Sequence, residues 1–142
     1  MSTRFVIARP DEADPAKWTG VYGDADGMPT GAGKHLYAHV VTRFSGDPRL
    51  AAEFFIDEHS AGWSFLAESF GRSECYCHDH GEPEAPARET ETGAGGMDWT
   101  YVLRPEGLEV RRWDYGVAAL VPWGRERTDW EAIEAKGYAL PR

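Results

Sequence analysis

Three short stretches in the last third of the chain constrain its fold more than any other feature. Trp99-Thr100-Tyr101-Val102-Leu103 alternates, Arg104-Pro105-Glu106-Gly107 turns, and Leu108-Glu109-Val110-Arg111-Arg112-Trp113 alternates again. A period of two sends successive side chains to opposite faces of a sheet. Proline in the second turn position and glycine in the fourth suit a type I turn, so the pattern predicts a β-hairpin. Val117 to Val121 should add a third antiparallel strand through the turn Asp114-Tyr115-Gly116. Thr128-Asp129-Trp130-Glu131 has the form of a capping box, in which Thr and Glu satisfy each other's backbone donors. A short helix is expected from there to Lys136, ended by Gly137.

Upstream, Phe5 to Ala8 reads as a first strand, and residues 10 to 33 as irregular chain punctuated by Pro, Gly and Asp. Trp18, Val21 and Tyr22 would pin that stretch onto the fold. From Lys34 to Phe44, Leu36, Ala38, Val40, Thr42 and Phe44 alternate, and the run Val40-Val41-Thr42 is β-branched, so a long strand is expected. Asp47-Pro48 opens a helix: Asp caps free N–H groups, and Pro at the first helical position gives up no hydrogen bond. Over Ser60 to Gly71 the stripe Trp63, Leu66, Ala67, Phe70 favours a helix, with Trp63, Phe65 and Ala67 also fitting a strand. Arg72 to His78 reads as a strand, and residues 81–97 as a flexible acidic loop. The expectation is one α+β domain over residues 1–142: a mainly antiparallel β-sheet with two or three short helices packed on one face.

At 142 residues with 42% hydrophobic content, the chain is long enough to bury a core without obligatory metal or disulfide staples. Its net charge of -9 argues against phosphate-backbone or anionic-lipid partners, and so against nucleic acid and membrane. No apolar run approaches the ~20 residues that span a bilayer, and Phe5 to Ala8 is too short for a signal peptide. The expected location is cytoplasmic, where the two cysteines stay reduced unless they hold a metal. Arginine-rich, lysine-poor composition suggests a bacterial source.

Both cysteines and two of the five histidines fall in Cys75-Tyr76-Cys77-His78-Asp79-His80. Cys75, Cys77, His78 and His80 form the candidate metal set, with zinc as the natural ion for four Cys and His ligands. On a regular strand the cysteines share one face and the histidines the other, so all four meet only if the backbone kinks near Cys77. A split site that borrows His59, His35 or Asp57 is the alternative arrangement.

Three further patterns carry less. His35-Leu36-Tyr37-Ala38-His39 would bring two imidazoles together on a helix; on the expected strand they stand ~13 Å apart and line one face with Tyr37. Gly27 to His35 imitates a phosphate-binding loop. Five residues separate its glycines where the motif has four, His35 replaces the hydroxyl, and a strand is expected to follow. Asp57-Glu58-His59 offers carboxylates beside an imidazole, of which at most a pair would act together. Trp18, Trp123 and Trp130 are candidates for an exposed recognition patch.

Between positions 74 and 92, Glu74, Asp79, Glu82, Glu84, Glu89 and Glu91 face only Arg88. That excess points to a small acidic binding protein, inhibitor- or immunity-like, engaging a basic protein partner through Glu82, Glu84, Glu89 and Glu91. The competing expectation is a metal-dependent enzyme or metal-binding regulator centred on the Cys/His segment.

Overall fold

In a computed structural model, the C-terminal meander forms one side of a larger mixed sheet. The structure describes residues 3–78, 82–83, 88–90, 97–113, 115–125 and 127–141, with residues 70, 78, 82, 83 and 88 described as backbone alone. The strands are β1 (Phe5–Pro10), β2 (Trp18–Gly23), β3 (Trp63–Phe65), β4 (Glu74–Cys75), β5 (Cys77–His78), β6 (Glu82–Pro83), β7 (Arg88–Thr90), β8 (Trp99–Leu103), β9 (Gly107–Arg112) and β10 (Gly116–Pro122). The helices are α1 (Lys34–Arg43), α2 (Pro48–Ala52) and α3 (Trp130–Tyr138). Wide π-type turns over Pro29–Gly33 and Glu53–Asp57 lead into α1 and out of α2.

The main sheet runs β10-β9-β8-β1-β2-β3-β4, with β7 also on β2, and β5-β6 form a separate pair. The α+β class holds. The sheet is less purely antiparallel than its hairpins suggest, because β1 pairs parallel with β8 and β2 parallel with β3. Parallel neighbours need long connections, and here the chain between β1 and β8 contributes β2, α1 and α2 before it returns. The hairpin β8–β9 and the third strand β10 form where the alternation placed them.

Phe5, Ile7, Val21, Trp99, Tyr101, Leu103, Leu108 and Val110 point to one face and pack with Leu36, Val40, Phe55 and Trp130 from the helical segments. That face is the main core. The opposite face buries a smaller cluster of Val6, Ala8, Trp18 and Val102, with Met97 against it.

Three expectations are overturned. Lys34–Arg43 is a helix, not a strand. Leu36, Tyr37 and Val40 fall on its buried side while Lys34 and Ala38 are exposed, a helical rather than alternating burial. Ser60–Gly71 is not a helix: it holds β3 and, at Phe70–Arg72, a short 3-10 turn. The irregular stretch 10–33 contains the full strand β2, whose glycines disguised it. At Gly23 a Cβ would sit 2.1 Å from the Phe5 ring, so glycine there permits close packing inside a strand.

The last helix also differs in its ends. Asp129 is the cap, its Oδ1 accepting from Ala132 N at 3.0 Å, so Thr128 and Glu131 form no capping box. Gly137 does not stop the helix; it lies inside α3, where a Cβ would meet the Trp99 ring at 2.3 Å. The start at Asp47-Pro48 is as expected, with Asp47 Oδ1 accepting from Arg49 N at 2.9 Å.

Candidate interaction surface

A set of polar side chains gathers where β2 ends and β3 and β4 begin. Past Gly23 the chain keeps pairing: Asp24 N donates to Trp63 O at 3.0 Å and Ala25 N to Ser64 O at 2.9 Å. Asp26 then takes a left-handed backbone (φ 56°), a conformation that Asp tolerates better than most residues. Its carbonyl accepts from Ala32 N at 2.8 Å, which anchors the turn entering α1. On the other flank, Ser73 Oγ accepts from Ala67 N at 2.9 Å, and β4 sets Glu74 opposite Phe65. Residues 24–26, 63–68 and 73–76 thus form one continuous corner.

Two groups of side chains occupy it. Tyr22 Oη donates to Asp24 Oδ1 at 2.5 Å, and Tyr76 stacks on Tyr22 with ring centroids 6.5 Å apart. Burial first, and then the Asp24 carboxylate, pushes the Tyr22 phenol up to about 12. Tyr76 is also raised, by burial and by Asp24 and Glu74, although its ring is 40% exposed. Beside them lies a cleft of ≈ 420 Å³ lined by Met28, Phe65 and Leu66 together with Asp26, His35 and Glu68. Burial, then the charge of Lys34, lowers the His35 pKa, opposed by Glu68 and Asp26. His35 is therefore neutral near pH 7. The corner thus carries four carboxylates, Asp24, Asp26, Glu68 and Glu74, with Arg4 near Tyr22 and Lys34 near His35, beside an apolar-lined cleft and the exposed Tyr76.

The helical α1 changes the fate of the His-x-x-x-His pattern. His39, one turn after His35, is buried, and its Nε2 donates to Ala67 O at 2.8 Å. It ties the helix to the corner rather than lining a face with His35. Tyr37 turns the other way, donating to Pro122 O at 2.6 Å and accepting from Arg125 N at 2.9 Å. The expected row of His35, Tyr37 and His39 along one sheet face is not formed. A helix does follow Lys34, contrary to expectation, but Gly31 and Gly33 lie within its entering turn, and the spacing and missing hydroxyl still separate it from a phosphate-binding loop.

Asp57, Glu58 and His59 do not converge either. Asp57 is ion-paired with Arg9, and Glu58 is exposed. His59 is buried between Phe54 and Trp63, with ring centroids 4.5 Å away on both sides, and its Nδ1 donates to Phe54 O at 2.7 Å. The tryptophans make no shared patch: Trp18 is buried in the smaller cluster, while Trp123 and Trp130 pack on Tyr37.

Of the metal set, Cys75 ends β4 and Cys77 opens β5, and neither forms a disulfide. His78 follows as backbone on β5, and His80 lies outside the described residues. Among the described residues, no three His, Cys, Asp or Glu side chains are gathered as a metal set. Of the acidic set, Glu82 is backbone on β6, and Glu84 and Glu91 lie outside the described residues, as does most of the 81–97 loop. Glu89 stands on β7 opposite Gly20, half-buried, and burial raises its carboxyl pKa. Reasoning from sequence set Glu68 beside Asp57-Glu58-His59 and did not group it with Asp24 and Asp26. Asp24 and Asp26 are near neighbours, but Glu68 is far from them in sequence, and the parallel β2–β3 pairing brings its stretch alongside.

No family model matches this chain, and no curated protein or solved structure is significantly similar to it.

Proposed function

We propose that the chain is a partner-binding protein that docks a basic segment of another protein on the corner formed by residues 24–26, 63–68 and 73–76. One observation carries the reading: Asp26 and Glu68 line an apolar-walled cleft, and Asp24 and Glu74 lie near the exposed Tyr76 of the same corner. Carboxylates around a cleft steer a cationic partner and set its register. Tyrosine is the type of side chain that anchors interfaces, because its ring buries area while its hydroxyl keeps a polar contact. An inhibitor or immunity protein is one form such a binder would take.

The test compares wild type with an Asp26→Asn/Glu68→Gln/Glu74→Gln variant, both immobilised. Captured proteins are quantified by mass spectrometry over rising salt. Basic proteins should be retained by wild type, released as screening shortens the reach of the charges, and missing from the variant. Equal capture by both would sink the reading.

A further inference from the structure

The chain's two cysteines are separated by one residue, and the backbone changes sheet between them. Cys75 pairs with Trp63 in the main sheet, whereas Cys77 pairs with Pro83 in the β5–β6 pair. The bend lies at Tyr76, whose N–H donates to Gly62 O at 3.0 Å and so holds the chain against β3. This is the kink without which a Cys-x-Cys pair keeps the geometry of a plain strand. Cys75 Sγ donates to Cys77 O across 3.8 Å, which puts the two cysteines in direct contact. Cys77 is 7% exposed, and Cys75 is half-buried against the main core. The pair is therefore largely shielded from solvent and flanks the exposed Tyr76.

We propose that Cys75 and Cys77 form a two-thiolate site for a soft, thiophilic monovalent ion of the copper(I) class. Thiolate sulfur selects soft ions, whereas magnesium and calcium demand oxygen ligands. Structural zinc needs four ligands, and the described residues bring only these two sulfurs together here. Copper(I) is satisfied by two. Binding is a ligand exchange without electron transfer: both S–H bonds break, two Cu–S bonds form, and two protons leave to solvent. Because two protons leave, affinity should rise with pH. The site stands on the β4–β5 bend alone and does not depend on the proposed docking of a basic partner.

The test uses the reduced full-length chain under anaerobic conditions, competing for copper(I) with the chromogenic chelator bicinchoninate. Wild type is compared with Cys75→Ser and Cys77→Ala, each checked for folding by circular dichroism. If Cys77→Ala unfolds, the half-exposed Cys75→Ser decides alone. The expected result is withdrawal of one copper per wild-type chain, lost in each folded variant and weakened as pH falls. Withdrawal no better than that of the variants would overturn the proposal.

Discussion

Strands β8, β9 and β10 run 5, 6 and 7 residues and pair along their lengths, whereas β3, β4 and β5 run only 3, 2 and 2. The long strands bury Trp99, Tyr101, Leu108 and Val110 under the helices. The short ones carry Tyr76, Glu74, the cysteines and the mouth of the acidic cleft. The difference teaches where this fold places its stability and where it places its chemistry. Long, fully paired strands under a continuous apolar layer open only with the whole domain. Short strands joined by bends leave side chains at the surface on a backbone fixed by the sheet behind them, the usual setting for a recognition site.

The contrast breaks hardest at Trp99. Trp99→Ala empties the layer between β8 and α3 and should lower unfolding free energy by ~3–5 kcal/mol in a denaturant titration. Gly137→Ala attacks the same contact from the helix side. Alanine favours a helix by about 1 kcal/mol over glycine, but its Cβ would meet the Trp99 ring at 2.3 Å. The crowding should win, with a loss of about 1–2 kcal/mol measured the same way. Asp47→Ala removes the cap of α2 and should cost about 1 kcal/mol, seen as a lower melting temperature.

His39 sharpens the contrast through pH, because it joins α1 to the corner. Burial, partly offset by the bond to Ala67, lowers its pKa below the ordinary 6.5. The unfolded chain therefore binds the proton more readily than the folded one. The stabilisation is complete above pH 6.5 and declines as pH falls through 6.5 toward the depressed folded value. Thermal melts of wild type and His39→Gln between pH 7.5 and 5 should show a shallower acid slope in the variant (the pH range is about that over which His titrates). His35, depressed in the same way, keeps part of the slope in both. The smallest effect is expected at the corner itself: the Asp26→Asn/Glu68→Gln/Glu74→Gln variant should stay within about 0.5 kcal/mol of wild type. Asn suits the positive φ at position 26 as well as Asp does.

The same contrast governs how much could be read from the residues alone. The meander over Trp99 to Val121 was legible because alternation, a turn of defined chemistry and β-rich composition agree there. Asp47-Pro48 was legible for a similar reason. Lys34 to Arg43 was not, because Leu36, Val40 and the β-branched run satisfy both periods, and packing under Tyr101 and Phe55 decides for helix. In β2 the glycine that reads as a turn serves contact with Phe5. Asp24, Asp26 and Glu68 were invisible as a group, since their meeting depends on the single register pair of β2 with β3, Gly23 with Trp63. Local patterns do not encode that pairing. The cysteines were found from their spacing, but not the bend at Tyr76 that turns them toward each other.

Site-specific photocrosslinking tests the central claim most directly. A benzophenone side chain at Tyr76 reports on the acidic corner, and one at Val117 on the far edge strand β10, where the wild-type side chain is 42% exposed. Adducts with basic proteins from position 76, suppressed by salt and by the Asp26→Asn/Glu68→Gln/Glu74→Gln changes, are the predicted result. Equal adducts from position 117, or none from position 76, would contradict the account.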